Sequence, residues 1–134
     1  MAKSANSKQT RILLIDDGAD FVAATRTVLE SKNYAVEVAY NGDDGIKKAR
    51  EKKPDAIILD IIMPTKNGIA ACDDLKHDPL LRKIPVLMLT SLGQKIAETE
   101  ISRADAMTLE AEDYLDKPVK PEELLKRVAN LLNK

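Results

Sequence analysis

The sequence predicts an α/β domain built on a parallel β-sheet. Apolar segments of strand length alternate with amphipathic segments of helix length along the chain. Three of the short segments are apolar at every position, the pattern expected of strands covered by helices on both faces. The length of 134 residues suits one hydrophobic core, since a domain usually takes roughly 100 to 200 residues.

A polar tail over residues 1–10 precedes the first strand, Ile-Leu-Leu-Ile at residues 12–15. Phe21, Thr25, Val28 and Leu29 then recur at helical spacing after Asp20, a favoured cap residue. Residues 35–39 form the second strand, and Asp43 or Asp44 caps a second helix holding Ile46 and Ala49. The third strand, Ala-Ile-Ile-Leu at residues 56–59, leads to a helix capped by Asn67. That helix runs through Ala71, Cys72 and Leu75 and ends before Pro79. The fourth strand is Val-Leu-Met-Leu at residues 86–89, followed by a helix over residues 94–109 with a thin apolar face of Ile96, Ile101, Ala104 and Met107. A weaker strand at residues 113–115 precedes the last helix. There Pro121 suits the first turn, Glu122 and Glu123 face the positive helix end, and Leu124, Leu125, Val128, Leu131 and Leu132 make a wide apolar stripe. Strands alternating with helices in this way imply right-handed crossovers and a parallel sheet, with residues 12–15, 56–59 and 86–89 as its central strands.

Charge and composition exclude several functions. Lys and Arg total 21 against 22 Asp and Glu, a formal charge of -1, so bulk positive charge does not draw this chain to a polyanion. The basic run from Lys47 to Lys53 reads as a solvated helix face whose long stems cover apolar surface. One cysteine, Cys72, forms no internal disulfide and suits a reducing compartment, so a cytoplasmic location is expected. Apolar runs such as residues 84–89 are far shorter than the roughly 20 residues of a membrane helix, and residues 1–10 are not signal-like.

In open parallel sheets the ligand crevice lies beyond the carboxyl ends of the strands. Asp16 and Asp17 follow the first strand, Asp60 the third, Thr90 the fourth, and Lys117 with Pro118 the fifth. One edge therefore gathers three carboxylates, a hydroxyl and an ammonium. Clustered carboxylates repel unless a cation neutralises them, and Mg²⁺ suits oxygen ligands while keeping positions open for a phosphoryl group. Asp60 is then the nucleophile for phosphoryl transfer, with Asp16 and Asp17 as metal ligands or their supports. The Thr90 hydroxyl donates to a phosphoryl oxygen, and Lys117 offsets the transferred charge. Singly, each residue has an ordinary role: Asp16, Asp17 or Thr90 as a cap, Asp60 as a turn former, Lys117 as a solvated lysine. Their coincidence at one edge favours a site. His77 lies at a helix end and reads as solvated, Cys72 as a small core residue, and Met88 and Met107 as packing.

Four segments carry a resemblance: Leu14-Ile15-Asp16-Asp17, Ile58-Leu59-Asp60-Ile61-Ile62-Met63-Pro64, Leu89-Thr90-Ser91 and Tyr114-Leu115-Asp116-Lys117-Pro118. Together they resemble the receiver domain of two-component response regulators. The resemblance implies a three-layer flavodoxin-like (βα)5 fold with sheet order 2-1-3-4-5. It also implies Mg²⁺-dependent transfer of phosphate to Asp60 from a histidine kinase or a histidine phosphotransfer protein. By motif position, Asp17, Asp60 and the backbone carbonyl of Ile62 bind the metal with Asp16 assisting. Thr90 and Tyr114 are the switch pair, and Lys117 contacts the phosphate and precedes a cis Lys117–Pro118 bond. The surface of the helix over residues 94–109, the fifth strand and the last helix would change on phosphorylation. Such a protein catalyses only its own phosphorylation and dephosphorylation. The chain departs from the family's pattern at Gly18, at Ile62, at Glu110 where a glycine is usual, and in a longer interval from Thr90 to Lys117. With a single domain over residues 11–134, output is expected to pass to a downstream effector protein, without direct nucleic-acid or membrane contact. A small-molecule phosphatase is disfavoured because Ile62 stands where such enzymes carry a second acid. A flavodoxin-like cofactor module is disfavoured because the only aromatics are Phe21, Tyr34, Tyr40 and Tyr114.

Overall fold

A computed structural model of the chain describes residues 9–61, 68–90 and 111–133. In order, the described elements are β1 (Arg11–Ile15), α1 (Ala19–Glu30), β2 (Ala35–Ala39), α2 (Gly42–Lys52), β3 (Ala56–Asp60), α3 (Gly68–His77), β4 (Val86–Thr90), β5 (Asp113–Asp116) and α4 (Pro121–Leu132). The sheet runs β2-β1-β3-β4-β5 with every neighbouring pair parallel, so the expected strand order holds. The predicted helix over residues 94–109, the Asn67 cap, Met107, Ile62, Glu110 and most of the polar tail lie outside the described residues.

The continuous apolar strands divide their side chains between two cores. Leu13, Ile15, Ile57, Leu59, Val86 and Met88 point to one face and meet Ala49, Ala71, Cys72 and Leu75 from α2 and α3. Ile12, Leu14, Ile58, Leu87 and Leu89 point to the other and meet Val22 and Leu29 from α1 and Leu124, Val128 and Leu131 from α4. Both faces are sealed, which is why a polar residue at any inner position would lose its hydration without a partner.

Two predicted caps are corrected. Asp20 lies inside the first turn of α1, whose N-cap is Gly18. The chain turns immediately after β1 because the Gly18 N–H donates to Asp16 Oδ1 at 2.8 Å, so the helix starts earlier. In α2 the cap is Asn41, whose side-chain oxygen accepts the Asp44 N–H at 2.8 Å. Asp43 and Asp44 sit in the first turn, where their charge meets the positive helix end. The last helix follows its pattern, with Pro121 in the first turn and Leu124, Val128 and Leu131 buried.

One ion pair lies at the opposite end of the sheet from the strand-end acids, where β4 and β5 begin. Lys76, only 5% exposed, places Nζ 2.9 Å from the Glu112 carboxylate and also donates to the Ile84 carbonyl at 2.9 Å. Glu112 Oε1 accepts the Val86 N–H at 2.8 Å, so the pair ties α3, β4 and the start of β5 together. His77 is exposed at the end of α3 and accordingly plays no part in the core, whereas Cys72 and Met88 are fully buried.

Candidate functional site

Asp16 follows β1 directly, and its N–H continues the strand pairing by donating to the Ala39 carbonyl at 3.0 Å. That pairing aims a nearly fully buried carboxylate across the strand ends. Its Oδ1 is occupied by the Gly18 N–H, and its Oδ2 accepts from Lys117 Nζ at 2.9 Å. Asp60, the last residue of β3, is equally buried, and its Oδ1 lies 3.6 Å from Lys117 Nζ. Asp17 is exposed, and it offers a carboxylate oxygen within 4.8 Å of those of Asp16 and Asp60.

The peptide Lys117–Pro118 is cis, as expected, at the exit of β5. Lys117 Nζ also sits 4.3 Å from the centroid of the Phe21 ring. Phe21 was legible only as an apolar position of α1, because nothing in helical periodicity points to a cation far along the chain. Its aromatic character, rare in this composition, was the available signal.

The balance of charge has a consequence. Among the described residues three carboxylates face one ammonium, and like charges this close are costly without a further cation. An all-oxygen donor set with one exposed member open to solvent fits a hard divalent ion such as Mg²⁺. The Ile62 carbonyl, expected to join this set, lies outside the described residues, as does the Thr90 hydroxyl.

Thr90 ends β4 opposite Asp116, and Tyr114 pairs with Met88 on the same two strands. Tyr114 is half-buried against the core beneath α3. Burial pushes its phenol above the ordinary value, with the neighbouring Cys72 and Glu112 adding to the shift. From α4, Arg127 donates to the Tyr114 carbonyl at 3.0 Å and to Asp113 at 2.9 Å, holding β5 to the helix. Asp16, Asp17, Asp60 and Lys117 thus meet at one edge, with the backbones of Thr90 and Tyr114 on the two adjoining strands.

Known proteins share this architecture. The family model for the response regulator receiver domain matches residues 12–129. The chain is 37% identical over 122 residues to Protein PilH of Pseudomonas aeruginosa, covering 91% of this chain and 97% of PilH. It is 35% identical over 128 residues to the transcriptional regulatory protein ResD of Bacillus subtilis, covering 96% of this chain but only 50% of ResD. The chain therefore spans half of that relative's length. Among solved structures, the receiver domain of sensor histidine kinase PA1611 from Pseudomonas aeruginosa PAO1 matches with a TM-score of 0.82 at 24% identity, covering 95% of this chain and 100% of that one. That protein has a magnesium ion coordinated in its active site cleft. At this identity the likeness is one of fold.

Proposed function

We propose, from the premise that this chain belongs to the response regulator receiver domain family, that Asp60 accepts a phosphoryl group in a Mg²⁺-dependent transfer. The donor is a histidine kinase or a histidine phosphotransfer protein. Receiver domains are phosphoacceptor signalling switches rather than classical enzymes. The observation that carries the reading is the buried Asp60 carboxylate at the end of β3, with two further carboxylates within 4.8 Å and an ammonium at 3.6 Å.

A carboxylate oxygen of Asp60 attacks the phosphorus of a phosphohistidine. The O–P bond forms as the P–N bond breaks, and the imidazole leaves with its electron pair and takes a proton from solvent. Held by Asp17, Asp60 and the Ile62 carbonyl with Asp16 in support, Mg²⁺ would offset the charge on the transferring oxygens. Lys117 contributes the second positive charge, and its ammonium already points between Asp16 and Asp60. Gly18 and Asp16 keep α1 docked over this edge, so the carboxylates need little rearrangement when the donor arrives.

The added charge beside β4 draws the Thr90 hydroxyl inward, and Tyr114 rotates into the space released. The surface of β5, α4 and residues 94–109 then binds a downstream effector protein differently. The response is a population shift set by the free-energy difference that the phosphate creates between two states. A cytoplasmic setting, where kinase and effector meet, completes the proposal. Among the described residues no helix is long and apolar enough to cross a membrane.

Incubation with Mg²⁺ and acetyl phosphate tests the assignment by intact mass. One phosphoryl mass should appear on the wild type and be absent from Asp60→Asn. Equal labelling of the variant would refute Asp60 as acceptor.

A further inference from the structure

We propose that Phe21 is a positioning residue for the reaction at Asp60, its ring face holding the Lys117 ammonium against the carboxylates. The inference rests on the reading of Lys117 as the group that neutralises the transferring oxygens. A lysine ammonium rides on a flexible stem with three rotatable donors, and its charge is strongly hydrated. Lys117 keeps 21% of its side chain exposed, so water competes for it on one side. Three contacts oppose that competition: Asp16 Oδ2 at 2.9 Å, Asp60 Oδ1 at 3.6 Å and the Phe21 centroid at 4.3 Å.

The third contact differs in kind from the other two. During transfer the ammonium must exchange part of its bonding to Asp16 and Asp60 for the incoming phosphoryl oxygens. The ring takes no part in that exchange, because its attraction comes from the negative π face and uses no hydrogen bond. The ring is also held in place. It packs against the core between the sheet and α1 with α4. The first turn of α1 is pinned by the Gly18 N–H on Asp16 at 2.8 Å and by the Val22 N–H on the Gly18 carbonyl at 2.8 Å. Asp16 therefore anchors both the lysine and the helix turn that carries the ring. An aliphatic residue at position 21 would serve the apolar stripe of α1 equally well, so the aromatic ring supplies something that packing alone does not require.

The test compares Phe21→Leu, Phe21→Tyr, Lys117→Ala and the double variant Phe21→Leu/Lys117→Ala. Two quantities are read: the rate of phosphorylation by acetyl phosphate at saturating Mg²⁺, and the NMR shift of the Lys117 ε-methylene protons without Mg²⁺. Phe21→Leu should slow phosphorylation by about two- to fivefold, the effect of losing a partly exposed cation–π contact. The ε-methylene protons, shifted upfield by the ring in the wild type, should move downfield in that variant. Phe21→Tyr should restore both quantities, and Phe21→Leu should change nothing further once Lys117 is alanine. A wild-type rate in Phe21→Leu, or the same slowing with Lys117 already removed, would overturn the inference while leaving Lys117 in its role. A wild-type rate in Lys117→Ala would instead overturn the reading of the lysine, and the role of the ring with it.

Discussion

Replacing Gly68 by alanine should loosen the strand end that carries Asp60, and by more than a helix-initial glycine would ordinarily suggest. A Cβ at this position would lie 2.1 Å from the Asp60 carbonyl oxygen and 2.6 Å from the Ile61 Cα. Both are backbone atoms, and neither can rotate away. The Ile61 N–H is bonded to the Leu89 carbonyl at 3.1 Å, and the Gly68 N–H to the Ile61 carbonyl at 2.6 Å. Relief requires α3 and β3 to separate by about 1 Å, an overpacking cost of roughly 1–3 kcal/mol. The Gly68–Ile61 hydrogen bond is lost with it, about 1 kcal/mol more. Alanine's helix propensity returns up to about 1 kcal/mol. The net loss is then about 2 kcal/mol, enough to lower the melting temperature by several degrees in a domain of this size. Gly45→Ala provides the calibration. Its Cβ would meet Ile15 Cδ1 at 2.4 Å and Cγ1 at 2.9 Å, atoms of a buried side chain that can shift more readily than backbone, in a helix interior where alanine is favoured. Urea unfolding followed by circular dichroism should show Gly68→Ala with the larger fall in midpoint at an unchanged slope. Gly68→Ala should also phosphorylate more slowly, because the Asp60 backbone has moved. A Gly68→Ala protein as stable as the wild type, or less perturbed than Gly45→Ala, would refute the reasoning.

Two further outcomes are expected. Mg²⁺ at ten times its dissociation constant should stabilise the wild type by about 1.4 kcal/mol, and Asp17→Asn should abolish most of that gain in a thermal-shift titration. Undiminished stabilisation would remove Asp17 from the ligand set. Stability should also fall as pH rises above that of an ordinary phenol, because the Tyr114 pKa is raised in the fold above its value of 10.0. The unfolded phenol ionises first, so the contribution is whole below pH 10.0 and is lost as pH climbs through the folded value. Tyr114→Phe should flatten this alkaline slope, and an unchanged slope would contradict the burial of the hydroxyl.

Much of the fold was legible because it is written in local periodicity. Strands sealed on both faces must be apolar at every position, so residues 12–15, 56–59 and 86–89 announced the central strands. The stripe ending in Leu131 and Leu132 announced α4 in the same way. The acids at the ends of β1 and β3 and Lys117 after β5 followed from strand position alone. The starts of α1 and α2 did not, because several acids lie within two residues of each and the backbone turn selects among them. At α1 Gly18 took the place of Asp20, and at α2 Asn41 took that of Asp43 or Asp44.

Tertiary structure decided which charges meet. Lys117 and Asp16 stand 101 residues apart in sequence, yet their charged atoms are 2.9 Å apart in space. Lys76 and Glu112 look like solvated residues in sequence, but the lysine is almost fully enclosed. Phe21 reads as one more apolar helix position until β5 brings an ammonium over its ring. Periodicity records whether a side chain faces the core or the solvent. The partner it finds there depends on strand order and crossover paths, which the whole chain sets at once.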